Sequence, residues 1–201
     1  MLMTTNIAVA ELALESLFTS ASRVTLLRIF MLDPHRSYYQ RQLAAATGLA
    51  IRAIQRELER LSAAGILYRH AEGNRAYYRV DQDCPLFPDL RNLVLKTAAP
   101  VDKLRGLLAA DEEVLQVFLT ADQRRALVVT RNKRRLTVRP PASMNLETMP
   151  GDEFTSRLAA RDDALIPFLS EGSDLLGRRD NVIWRRIEAA GYTVRREQGV
   201  P

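Results

Sequence analysis

Apolar positions recur at helical spacing between Ser20 and Pro34, where Val24, Leu27, Phe30 and Met31 line one face and Ser20 or Ser22 offers a cap. The same pattern predicts a short second helix over SYYQRQLAAATG, stopped by Gly48, and a third over LAIRAIQRELERLSAAG, stopped by Gly65. Two apolar-aromatic runs, LYRHAE and RAYYRV, then flank the Gly73-Asn74 pair and read as two strands of a hairpin. PLFPDLRNLVLKTAAP reads as a helix starting near Pro88 and ending before Pro100. Beyond Pro100 the pattern changes. A helix over residues 101–110 is followed by strand-like runs VLQVFLT, ALVVT and RLTVR, a candidate strand NLETM, and helical segments toward residue 201. The class is α+β, with a domain boundary near Pro100 that separates residues 1–99 from 100–201 and makes the helix before it a connector.

Composition changes this picture little. The 201 residues are 47% hydrophobic, enough for a real core, and the net charge of +5, carried mostly by arginine, permits a nucleic-acid partner without requiring one. No apolar run approaches the roughly 20 residues of a membrane span, and Glu11 and Glu15 stand where a secretory signal stays apolar; the expected location is cytoplasmic. A lone cysteine, Cys84, excludes an intramolecular disulfide, and with only His35 and His70 beside it there is no zinc-like ligand set. No metal and no cofactor is expected.

Candidate chemistry concentrates in the third helix, which carries two stripes. Ile51, Ile54, Leu58 and Leu61 form a row expected to pack inward, and Arg52, Gln55, Arg56 and Glu59 form a second that faces out. A solvated amphipathic helix has the same pattern; the setting distinguishes this one. Ala44 is small enough for close helix approach, Gly48 frees a turn, and Ile54 fills the angle between two helices. An outward row with Arg and Gln suits the major groove, because Arg pairs doubly with guanine and Gln with adenine. A hairpin directly afterwards places arginines beside such a helix, and of Tyr77 and Tyr78 alternation sends one into the core.

Residues 22–98, about two-fifths of the chain, resemble the winged helix-turn-helix domain of ArsR-like bacterial and archaeal transcription regulators in the order and spacing of these elements. The resemblance implies that Ala50, Ile51, Arg52, Gln55 and Arg56 face the groove, that Arg69, Asn74 and Arg75 are wing contacts, and that Tyr39 and Arg41 meet the DNA backbone from the second helix. Metal-sensing members of that family cluster cysteines or histidines on a helix, which this chain does not.

The second half resembles a minimal nucleotidyltransferase domain, to which some regulators of this kind are fused. Such domains place a Gly-Ser turn after the first strand and an Asp-x-Asp pair on the next, so that two carboxylates on one strand face hold the magnesium of a triphosphate. Here Leu119-Thr120 replaces Gly-Ser, Gln123 and Arg125 fall at the Asp-x-Asp positions, and Glu147 is the nearby acid on the later strand. The resemblance therefore implies a degenerate, catalytically silent copy, and the chain is not expected to be an enzyme. The acids of Asp111-Glu112-Glu113 and of Arg161-Asp162-Asp163 read as surface caps. Between Val117 and Pro140 seven basic residues face the single acid Asp122, and a hairpin there would place Arg131, Lys133, Arg134 and Arg135 as auxiliary phosphate contacts, or as a charged protected edge.

The expectation is a duplex-DNA-binding transcriptional regulator, nucleoid-associated and homodimeric. Its C-terminal domain would serve dimerisation or bind a partner or small-molecule effector. Two alternatives stay open: a nucleotidyltransferase-type enzyme, and a winged-helix module for protein or RNA.

Overall fold

Ser20 caps helix α1 (Ala21–Leu32): its Oγ accepts a hydrogen bond from the Arg23 N–H at 3.3 Å. The helix is buried on more than one side, with Val24, Leu26, Leu27, Ile29, Phe30, Met31 and Leu32 all in the core. It is the element around which the N-terminal half packs. The computed structural model describes residues 13–133 and 136–197, and these form two units that divide between Ala110 and Asp111.

In the first unit α1 is followed by β1 (Tyr38–Tyr39), α2 (Gln40–Thr47), α3 (Ile51–Ala63), β2 (Leu67–Glu72), β3 (Arg75–Val80), α4 (Phe87–Thr97) and α5 (Pro100–Ala109). Gly48 ends α2 in the left-handed region at φ 68°, which spares the turn the strain of a side chain, and α3 begins three residues later. The strands form an antiparallel sheet in the order β1-β3-β2. Cross-strand pairs place Leu67, Tyr78 and Val80 on its core side; of the adjacent tyrosines, Tyr78 is the buried one. The β1 pair was not anticipated, because two residues carry no periodicity.

The unit boundary lies about ten residues beyond the one expected at Pro100, because α5 packs with the first unit. Pro100 opens this helix rather than separating two domains. A Cβ on Gly106 would stand 2.6 Å from Leu32 Cδ2 and 2.8 Å from Leu95 Cδ2, so α5 lies tight on α1 and α4.

The second unit contains β4 (Val114–Leu119), β5 (Arg125–Thr130), β6 (Asn145–Pro150), α6 (Gly151–Ala159), a 3-10 turn (Asp163–Leu165) leading into α7 (Ile166–Leu169), β7 (Ser173–Asp174), α8 (Val182–Ala189) and β8 (Arg195–Arg196). Its mixed sheet has the order β6-β5-β4-β7-β8, with β5–β6 and β7–β8 parallel and the remaining pairs antiparallel. Phe118, Leu127 and Val129 pack against Phe154 and Leu158 of α6 and Ile183, Trp184 and Ile187 of α8. Buried Asp174 accepts the Leu176 and Gly177 N–H groups, at 3.2 and 3.0 Å, and pairs with Arg179, whose guanidinium lies 4.3 Å from the Trp184 ring centre. The protein is thus an α+β molecule with two sheets, and no helix among its described residues is long and apolar enough to cross a membrane.

One expected strand is not formed among the described residues. RLTVR has the alternation of a strand, yet residues 136–139 carry no strand, and β6 runs parallel to β5. The chain must return along the length of β5 before it can pair in parallel, so this stretch is a crossover connection.

Candidate nucleic-acid interface

Helix α3 separates two surfaces. Ile54, Leu58 and Leu61 are buried as the inward row requires, but Ile51 is 40% exposed, so that row begins one turn later than expected. Ala50, Ile51, Arg52, Gln55, Arg56 and Glu59 are all exposed. The Gln55 side-chain N–H donates to Gln40 Oε1 at 3.1 Å, which ties this surface to the start of α2.

Behind the outward row sits a residue that the stripe pattern missed. Glu57 is fully buried; Arg23 and Arg60 reach it at 2.9 and 3.1 Å, and the Ser20 hydroxyl donates to it at 3.2 Å. Burial alone would raise its pKa, but hydrogen bonds from Arg23 and Ser20 and the charges of Arg23 and Arg60 outweigh it. The carboxyl lies below its ordinary value. The carboxylate anchors α3 to the start of α1, and so fixes how the helix presents its outward row.

At the same end of α2, Tyr39, Gln40 and Arg41 face Asn74, Arg75 and Ala76 across a concavity of about 410 Å³. Four of the expected site residues, Tyr39, Arg41, Asn74 and Arg75, therefore meet in one place. The Arg75 guanidinium stacks 5.0 Å from the Tyr39 ring centre, and Tyr39 meets Tyr77 edge-on at 5.6 Å. None of Arg41, Arg52 and Arg75 is ion-paired among the described residues. Arg69 is not in this group. It pairs across the strands with Tyr78, whereas Arg75 pairs with Glu72, and this register puts the two arginines on opposite faces of the hairpin.

In the second unit, Arg131 and Lys133 are exposed in the connection after β5, and Arg134 and Arg135 lie outside the described residues. The further strand expected there is absent at residues 136–139. Gln123 sits in the β4–β5 turn with φ 57°, and Arg125 opens β5. The Arg125 Nε and Nη2 atoms each lie 2.8 Å from Glu147 Oε1 on the adjoining strand, and this hydrogen bond and charge raise the already high pKa of the arginine. Where the nucleotidyltransferase resemblance calls for a carboxylate, a guanidinium neutralises the acid that remains. No three His, Cys, Asp or Glu side chains gather as a metal site among the described residues. Asp162 caps the 3-10 turn by accepting the Ala164 N–H, whereas Asp111 accepts the Glu113 N–H within the turn before β4 and caps no helix start.

No protein-family model, curated protein or solved structure matches this chain. Its chemistry rests on the geometry. An exposed guanidinium presents parallel donors to a planar pair of acceptors, and a primary amide presents a donor beside an acceptor; Arg52 and Gln55 hold both within one helical turn. The concavity with Arg41 and Arg75 suits a single anionic group such as a phosphate. Gln40 belongs to both surfaces and was not singled out from sequence, because its partner Gln55 is fifteen residues away.

Proposed function

We propose that the first unit is a winged helix-turn-helix module that binds duplex DNA, and that the chain is a transcriptional regulator. Helix α3 enters the major groove, and the β2–β3 hairpin lies on the flanking backbone or minor groove. The observation that carries this reading is the row of Ala50, Ile51, Arg52, Gln55 and Arg56, exposed together beside a concavity lined by Tyr39, Arg41, Asn74 and Arg75. Base edges are read by the first set. The second holds the phosphate backbone, with Arg69 as a separate contact on the opposite hairpin face.

The second unit, in this proposal, is a nucleotidyltransferase-like fold without catalysis that serves dimerisation or effector binding. The Arg125–Glu147 pair supports this, since a guanidinium repels the divalent cation that phosphoryl transfer needs. Arg131 and Lys133 remain available to add phosphate contacts.

Binding of Arg52→Ala and Arg75→Ala variants to a duplex library at several salt concentrations tests the proposal. Arg52→Ala relaxes sequence preference, at a cost of about 1–3 kcal/mol in discrimination at one position. Arg75→Ala weakens all duplexes alike and lowers the salt slope by about one. Indifference to both substitutions overturns it.

A further inference from the structure

The outer face of the three-stranded sheet carries a row of rings, of which the proposed duplex contacts use Tyr39 alone. Tyr39 of β1 meets Tyr77 of β3 at 5.6 Å, Tyr77 stacks on His70 of β2 at 5.7 Å, and His70 stacks on Tyr68 at 6.0 Å. Tyr68 ends the row and is 54% exposed. Directly across the strands from Tyr68 stands Arg79, also exposed and without an ion-pair partner among the described residues. At the other end Arg75 lies over Tyr39. Glu72, at the hairpin tip, is the one acid that the strand register puts on this face among the described residues.

We infer that this sheet face is a platform for single-stranded nucleic acid, on which an unpaired base extends the ring row at Tyr68 while Arg79 holds the adjoining phosphate. The charge complementarity is that of a polyanion: two exposed arginines bracket the rings. Every base has a flat face, so a stack of this kind tolerates any sequence. Salt attenuates the arginine contribution and leaves the stacking contribution in place. The platform is separate from α3, so it stands whether or not α3 reads duplex DNA.

Fluorescence anisotropy of the full chain with labelled oligo(dT) of about 12 nucleotides, against an abasic oligomer of equal length, tests the inference. The expected result is about tenfold tighter binding of oligo(dT) than of the abasic strand. Tyr68→Ala removes that difference, Tyr68→Phe restores it, and Arg79→Ala weakens both strands. Both residues are exposed at the surface, and an unchanged thermal melt confirms that the variants fold. Duplex binding is followed in parallel and is unchanged in Tyr68→Ala. The inference is overturned if the two strands bind equally, if Tyr68→Ala leaves the difference intact, or if Tyr68→Ala instead abolishes self-association or capture of a protein partner.

Discussion

Glu57 is the residue with the widest reach in the first unit. It looks like one more charge on a charged helix, yet it is the partner of three arginines, Arg23, Arg56 and Arg60, and of a serine that also caps α1. Removing its charge leaves Arg23 facing a neutral amide, and Glu57→Gln is expected to lower unfolding stability by about 2 kcal/mol at neutral pH in urea titration. Because its folded pKa is depressed, the contribution is present above the ordinary carboxylate range and is lost as pH falls through the lower folded value. The gap between wild type and Glu57→Gln therefore closes in acid. A gap that persists there would refute the ion-pair account. Sequence could not reveal this residue: Glu57 lies between the two stripes, and its partners Ser20 and Arg23 are more than thirty positions away.

At the scale of elements, the long amphipathic segments were legible and the short pairings were not. Helices α1 and α3 follow from their spacing and from Ser20, Gly48 and Gly65, and β4 and β5 follow from apolar runs, interrupted in β4 by Gln116. The β7 and β8 strands are two residues each and exist only through their neighbours. RLTVR misled because alternation describes a strand equally well whether or not a partner edge is within reach. The candidate site was legible as a composition of α3 and the hairpin, but the separation of Arg69 from Arg75 depends on cross-strand register. Close packing makes one element junction sharply testable. A Cβ on Gly172 would collide with the carbonyl oxygens of Leu119 and Phe168, backbone atoms that cannot rotate away. Gly172→Ala is expected to destabilise the second unit by about 2 kcal/mol or more, read as a lowered melting temperature. An unaltered melt would show that α7 and β7 yield without cost.

At the scale of the whole molecule, a single recognition helix covers few base pairs, so the proposed regulator is expected to act as a dimer on half-sites roughly 34 Å apart. The apolar face of α4 is not free to supply that interface. Val94 and Leu95 are buried in the first unit's own core, and Leu90 and Leu93 are partly buried against it. Sedimentation at micromolar concentration is expected to give a dimer, and a monodisperse monomer would contradict it.

The hydrogen bond from Gln55 to Gln40 bears on how the proposed dimer would discriminate among sites. Before any encounter the amide of Gln55 is already engaged, so a base edge must compete with an internal acceptor of nearly equal strength. A matching adenine exchanges one bond for a bidentate pair and gains; a mismatched base offers no such replacement, and the side chain stays where it was. In the proposed complex, selection by exchange in this way would leave the protein without an unsatisfied amide as it moves between sites.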